Sequence, residues 1–327
     1  MSRAMLCRTA SDLYWCARHI ERAENTARLI DVTRRIAMLP ERLDRGKAAA
    51  APWRRALDAL GVADAFRATQ GEIDGERALM WLLLDTSHPS SVASCLRAAR
   101  EAARAQRVAI TAEMYEDINT SWIEMRELSA DTVRRDGVAG WLEWVKSRSA
   151  SFRGVTIGTL GRGEGYHFLQ LGAFFERAEW AVRLLDIKSG DADLPDPGEA
   201  RDAVDYYQWS ALLQSLSAFE TYRRRYRESV TPAGVAALML VNEENPRSFA
   251  RCARTLHGVL EQLAGGRELE VVRQAGLLAS LVRFARVDRM LASGLEAHLQ
   301  DFMQRLVELG DEIHRQFMAA GEAHASA

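Results

Sequence analysis

An eleven-residue segment occurs twice in the chain. Glu21-Arg22-Ala23-Glu24-Asn25-Thr26-Ala27-Arg28-Leu29-Ile30-Asp31 returns as Glu176-Arg177-Ala178-Glu179-Trp180-Ala181-Val182-Arg183-Leu184-Leu185-Asp186, with seven of eleven positions identical at an offset of 155. Two further matches follow in the same order. Trp53, Leu57 and Leu60 align with Trp209, Leu213 and Leu216 at an offset of 156. His88-Pro89-Ser90-Ser91-Val92-Ala93-Ser94-Cys95 aligns with Asn245-Pro246-Arg247-Ser248-Phe249-Ala250-Arg251-Cys252 at 157. A nearly constant offset predicts two tandem halves, about residues 1–150 and 151–327, sharing one core in a single domain spanning 1–327. It also predicts a pseudo-two-fold axis between them, since two like units pack isologously.

The periodicity is helical almost throughout, and the predicted fold class is all-α, a helical bundle. From Ser11 to Ile36, apolar residues fall at Leu13, Ala17, Ile20, Ala27 and Ile30, the three-, four- and seven-residue steps of one helix face. Ser11 or Asp12 is the expected N-cap. Pro40 is expected to end that helix, and Lys47 to Pro52 to form a loop. Helices are expected over Trp53–Thr69 and Glu76–Asp85, and a long one from His88 towards Leu128, breaking near Asn119. No segment alternates with period two. Val155 to Leu160 is the only weak strand candidate, and Gly158, Gly161 and Gly163 argue for a loop there. Lys188 to Asp202, with Gly190, Pro195, Pro197 and Gly198, predicts a linker.

Composition narrows the function classes. Net charge is -2, which argues against nucleic-acid binding through bulk positive charge. No apolar run exceeds the length of Ala78 to Leu84, too short to span a bilayer, so no membrane association is expected. The N-terminus lacks the apolar core of a signal peptide. The four cysteines form no CxxC and no disulfide framework, which fits a reducing compartment; a cytoplasmic protein is expected. Only three of the 43 basic residues are lysines, Lys47, Lys146 and Lys188. Arginine forks suit carboxylates and phosphates, although base bias in the genome would produce the same excess.

The candidate functional residues are charged ones at helical spacing. Glu21 and Glu24 share a helix face, and Arg28 lies one turn beyond Glu24 in the favourable order. The same holds for Glu176, Glu179 and Arg183. Arg22 and Arg177 point about 100° away from the preceding glutamate, each towards another neighbour. These groups either form structural salt bridges between the halves or line a polar site between them. Glu113 and Glu116, beside Tyr115 and Trp122, make a further Glu-x-x-Glu, with a solvated helix end as the plainer reading. Arg97, Arg100, Arg104 and Arg107 form a basic stripe best read as a solvated face. Glu164 with His167 is the only Glu-x-x-His. A di-iron bundle needs two such pairs, so no bound metal is expected. The glycine-rich stretch Gly158 to Gly165 is neither a Walker A loop nor a dinucleotide fingerprint; it predicts a turn before the second repeat helix. No nucleophile stands out.

Taken together, Arg8-Thr9-Ala10 with Leu13-Tyr14-Trp15 and Glu21-Arg22-Ala23-Glu24, then Glu113-Met114-Tyr115-Glu116, Gly158-Thr159-Leu160 with Glu164-Gly165, and Glu176-Arg177-Ala178-Glu179 resemble the bacterial alpha-E domain family. The likeness covers essentially the whole chain. Ala102, after Arg100-Glu101, stands where related proteins often carry Asn, and Leu160 where Met is common. The resemblance implies an all-helical protein that works with a circularly permuted ATP-grasp protein, and often beside a transglutaminase-like protein, in an amide- or peptide-bond-forming system. ATP and Mg would then belong to the ATP-grasp partner, with no cofactor bound by this chain. The leading expectation is a helical component that binds a peptide-like substrate or the partner ligase through a groove lined by Glu21, Arg22, Glu24, Arg28, Glu113, Glu116, Glu164, His167, Glu176, Arg177, Glu179 and Arg183. The alternatives are an enzyme that uses the clustered glutamates as acids and bases, and a structural scaffold.

Overall fold

The computed structural model describes residues 5–38, 47–189 and 199–319, and within them every regular element is helical. The two longest helices carry the repeated segment. Helix α1 spans Cys7–Ala37 and helix α9 spans Glu164–Ser189. They pack along each other at the centre of the molecule. Contact is close where they meet: a Cβ added at Gly172 would lie 3.0 Å from the Tyr14 carbonyl carbon and nearer still to its oxygen.

The other helices surround this pair. α2 (Lys47–Ala59), α3 (Ala63–Gln70) and α4 (Gly75–Leu84) lead to α5 (Val92–Ala105), which packs on α1. α6 (Ala112–Arg126), α7 (Ala130–Asp136) and α8 (Val138–Thr159) complete the first part, with α8 lying on both α1 and α6. After α9 come α10 (Glu199–Ser215), α11 (Phe219–Tyr226) and α12 (Pro232–Ala236), which runs on into a π turn over Ala237–Val241. α13 (Phe249–Ala264) packs on α9. α14 (Glu270–Arg283), α15 (Val287–Ser293) and α16 (Leu295–Ile313) follow, and α16 ends in a second π turn over His314–Met318. One apolar core, including Leu13, Ile30, Leu82, Phe175 and Leu256, runs through the whole assembly.

Several boundaries differ from those the sequence predicts. α1 starts at Cys7, so Ser11 and Asp12 lie inside the helix; Asp12 accepts from Gln106 Nε2 at 2.6 Å instead of capping. Residues 47–52 are helical, not a loop, because the alanines around Pro52 have the highest helix propensity. The expected Trp53–Thr69 helix is two helices, broken at Gly61, whose φ of +66° a side chain would resist. The long helix expected from His88 starts at Val92, where Ser91 Oγ accepts from the Ser94 amide at 3.0 Å. It breaks at Gln106–Thr111, where Thr111 caps α6, and Asn119 sits inside α6. Val155 to Thr159 is the last turn of α8, which leaves only 160–163 as the turn before α9. Of the expected linker, residues 188–189 and 199–202 are helical; 190–198 and Pro40 lie outside the described residues.

Candidate functional site

The α1–α9 seam holds a network of charges that is largely out of water. Glu21 and Glu24 are essentially inaccessible and Glu176 is buried. Helical spacing aims them inward: the rest of α1's buried face, Leu13, Ala17, Ile20 and Ala27, continues the same row. A buried carboxylate needs opposite charge at hydrogen-bond range, and arginines from four elements supply it.

The first exchange is reciprocal. Arg22 of α1 grips Glu176 of α9 with Nε–Oε1 at 2.7 Å and Nη2–Oε2 at 2.8 Å. Arg177 of α9 donates from Nη2 to Glu21 Oε2 of α1 at 2.8 Å. The rest of the network is not reciprocal. Glu24 accepts from Arg28 Nη2 at 2.7 Å, from Arg247 Nη2 at 2.8 Å, and from Arg153 Nη1. Arg247 also lies 2.9 Å from Glu21 Oε1 and donates to Asn25 Oδ1 at 3.0 Å. Glu179, the counterpart of Glu24, pairs among the described residues with Arg18. Arg18 also donates from Nε to Glu176 Oε2 at 2.8 Å, and stacks 4.8 Å from the Phe175 ring centroid.

Protonation follows from these contacts. Burial opposes ionisation of Glu176, but Arg18 and Arg22 overcome it and hold the carboxyl down to about 2. Burial works the same way against Glu21, and Arg177 with Arg247 drives it lower still. Burial dominates at Glu179, whose carboxyl is raised above the ordinary glutamate range despite Arg18. Arg247 is buried, and there lost hydration outweighs Glu21 and Glu24 and lowers its pKa. Burial, followed by the field of Arg22, brings His19 to about 4, so it is neutral near pH 7.

Two hollows border the glutamates of this network, and a third, of about 550 Å³, borders Arg28. A cleft of about 180 Å³ between α1, α8 and α9 is walled by Ile20, Phe152, Leu169 and Phe174, with Glu21, Arg153 and Arg177 as its charged lining. Arg153 uses only Nη1, towards Glu21 and Glu24; among the described residues its Nε and Nη2 meet no acceptor. Arg177 Nε is buried without a hydrogen bond, and its guanidinium lies 5.1 Å from the Phe174 ring centroid. A hollow of about 290 Å³ on another part of the seam takes in Glu179, Arg18, Tyr14, Trp15 and Asp311. Such geometry can hold an anion beside an apolar group in the first hollow, and presents a weakly acidic carboxyl in the second.

The remaining sequence candidates stand apart from the seam. Glu113 and Glu116 are exposed on α6. Glu164 Oε2 accepts from the Met5 amide at 2.8 Å, a terminus contact. His167 is half-buried with Nδ1 unpartnered, and burial, then Arg162, lowers its pKa. Arg183 is half-buried on α9 and acts on Glu179 only through its field. The groove is therefore lined from the two repeated segments and α8, without Glu113–Asn119 or the glycine turn. In the basic stripe, Arg100 Nε donates to Asn119 at 3.1 Å and Arg104 pairs with Glu101. Among the described residues, no three His, Cys, Asp or Glu side chains gather in a way that could hold a metal ion, and no helix is long and apolar enough to cross a membrane.

Sequence reading missed Arg18, Arg153 and Arg247. Arg18 was findable, being one turn before Arg22 on the same face. Arg247 stands in the Asn-Pro-Arg-Ser match where the first half has Ser90, a difference in the place where asymmetry is informative. Arg153 carries no local signal.

Comparison with known proteins agrees with this architecture. The family model described as "Alpha-E: A predicted alpha-helical domain with a conserved ER motif" matches residues 5–318. Uncharacterized proteins of Mycobacterium bovis and of two strains of Mycobacterium tuberculosis are each 24% identical over 324 residues, covering 90% of this chain and 35% of the relative. The chain thus spans about a third of the length of these curated relatives. No solved structure matches it.

Proposed function

This chain belongs to the Alpha-E family, and from that premise and its arginine-lined cleft we propose that it is the helical component of an ATP-grasp-dependent amide- or peptide-bond-forming system. In this reading it binds the peptide-like substrate in the cleft between α1, α8 and α9. The observation that carries the reading is the Arg153–Arg177 pair beside an apolar wall, with Glu21 between them. Guanidinium groups, an acid and aromatic surface together suit a molecule with charged ends and apolar side chains. Glu21 and Glu24 hold these arginines in place. ATP and Mg act in the ATP-grasp partner, which would activate a carboxylate; a transglutaminase-like protein is a further expected associate. The same proposal takes the chain as two tandem halves in one domain. Its support is the reciprocal Arg22–Glu176 and Arg177–Glu21 exchange, α5 on α1 beside α13 on α9, and Ser91 and Ser248 capping α5 and α13 alike.

Reconstitution tests it. This protein and a circularly permuted ATP-grasp protein, the proposed partner, would be combined with ATP and Mg, and products followed by mass spectrometry. Product should require both proteins, and Arg153→Gln, folded by circular dichroism, should reduce its yield at least ten-fold. Full product formation without this chain would refute the reading.

A second reading, an enzyme using its own glutamates, is favoured by one observation. Glu179 has a raised pKa and borders an open hollow beside Tyr14, as a general acid would. Glu179→Gln separates the two: it abolishes turnover in the enzyme reading and leaves substrate binding intact in the first.

A further inference from the structure

The seam network has more positive than negative groups. Arg18, Arg22, Arg28, Arg153, Arg177 and Arg247 face Glu21, Glu24, Glu176 and Glu179, six guanidinium groups against four carboxylates. Guanidinium groups stay charged in proteins, so the surplus cannot be relieved by losing protons near neutral pH. Burying uncompensated charge is costly, and a chain that does so gains from a bound anion. Arg18 and Arg28 border other hollows, beside Glu179 and Asp311 and beside Asp31 and Glu220, and the cleft between α1, α8 and α9 is where Arg153 and Arg177 meet an apolar wall. In the 180 Å³ cleft two guanidinium groups face one carboxylate, and Arg153 presents its Nε and Nη2 free. That edge matches the two oxygens of a carboxylate. Arg177 offers a buried Nε with no acceptor in the same lining. The walls beside these donors, Ile20, Phe152, Ile157 and Phe174, are apolar.

We propose that this cleft binds the free carboxylate of an amino-acid or peptide ligand, held between Arg153 and Arg177, with an apolar side chain of that ligand against Phe152 and Phe174. The proposal rests on the peptide-binding reading of the same cleft and deepens it by naming the group recognised. An amide or ester end would leave the arginine donors unpaired, so the cleft discriminates in favour of a free C-terminus.

The test is calorimetric titration of the full chain with N-acetyl-L-phenylalanine and with N-acetyl-L-phenylalaninamide, which differ in the end group alone. The carboxylate should bind at least ten-fold tighter than the amide. Arg153→Gln should remove that preference, and Arg153→Lys should restore part of it. Arg153 is partly exposed, so these variants should fold; thermal unfolding checks them. Equal binding of the two compounds, or an unchanged preference in Arg153→Gln, overturns carboxylate recognition while leaving a peptide groove standing. Absence of binding by both compounds also overturns it. The groove itself is judged separately, by the joint reaction with the ATP-grasp protein.

Discussion

Glu24 and Glu179 stand at the same place in the two repeated segments, yet among the described residues three arginines pair with Glu24 and one with Glu179. Burial raises both carboxyls; at Glu24 the arginines, Arg247 foremost, reverse the effect and the pKa falls, while at Glu179 burial prevails. The signs for stability are opposite. Glu24 contributes stability that is present above its unfolded pKa, about 4.3, and lost as pH falls through its lower folded value. Glu179 is favoured protonated, so stability is lost as pH rises from the unfolded value through its higher folded one. Glu24→Gln should therefore cost about 3–5 kcal/mol at pH 7, the usual result of stripping one partner from a buried ion network. Glu179→Gln should be neutral or stabilising there. Urea unfolding of both variants from pH 4 to 8 checks this, and equal destabilisation at pH 7 would count against it.

The Arg22–Glu176 and Arg177–Glu21 contacts predict matching energetics. Double-mutant cycles with Glu→Gln and Arg→Met changes should give coupling of about 0.5–3 kcal/mol for each pair, the range for directly touching residues. The two values should agree within about 1 kcal/mol if the halves are related by a pseudo-two-fold. Strong coupling in one pair and none in the other would defeat that reading, because the pairs would then be independent accidents of packing.

The helical fold was legible because apolar steps of three and four persist along nearly every segment, and because the repeated segment sits mid-helix, where period alone decides the buried face. Helix ends were less legible. Gly61 breaks a helix through a positive φ that no neighbouring residue announces, and Ser91 caps α5 where the sequence predicts a start at His88. At the site, Glu21, Glu24 and Glu176 were visible from helical spacing, and Arg22 and Arg177 as charges turned towards another neighbour. Arg153 was not, because it comes from α8, 129 residues from Glu24 along the chain, and only tertiary packing brings the two together.

Gly172 lies at the closest approach of α1 and α9. Gly172→Ala must push the helices apart or bend one of them, and both moves disturb the ion network beside it. The expected loss is about 1–3 kcal/mol or more, as for other overpacked sites. Gly140, exposed on α8 with nothing within 4 Å of an added Cβ, is the control. There, alanine should stabilise by up to about 1 kcal/mol through helix propensity. Thermal unfolding of the two variants gives the comparison, and a neutral Gly172→Ala would mean the seam is looser than described.

The cysteines report on the integrity of the same seam. Cys16, Cys95 and Cys252 are buried, and burial pushes each thiol up to about 12, so none is thiolate near neutral pH. Cys95 lies in the field of Arg22 and Cys252 in that of Arg177, the two arginines of the reciprocal exchange, and in both places burial outweighs the arginine. Cys7, at the start of α1, is half-buried and accessible. Since the thiolate is the reacting species, an aromatic disulfide reagent at pH 8 should titrate one thiol rapidly in the native protein and the remaining three only after unfolding in guanidinium chloride. Mass spectrometry should place the fast label on Cys7. Arg22→Met should speed labelling of Cys95, because losing the Glu176 partner loosens the helices that cover it. Native-state labelling of Cys95 or Cys252 at the rate of Cys7 would show that α5 and α13 do not stay closed over the α1–α9 pair.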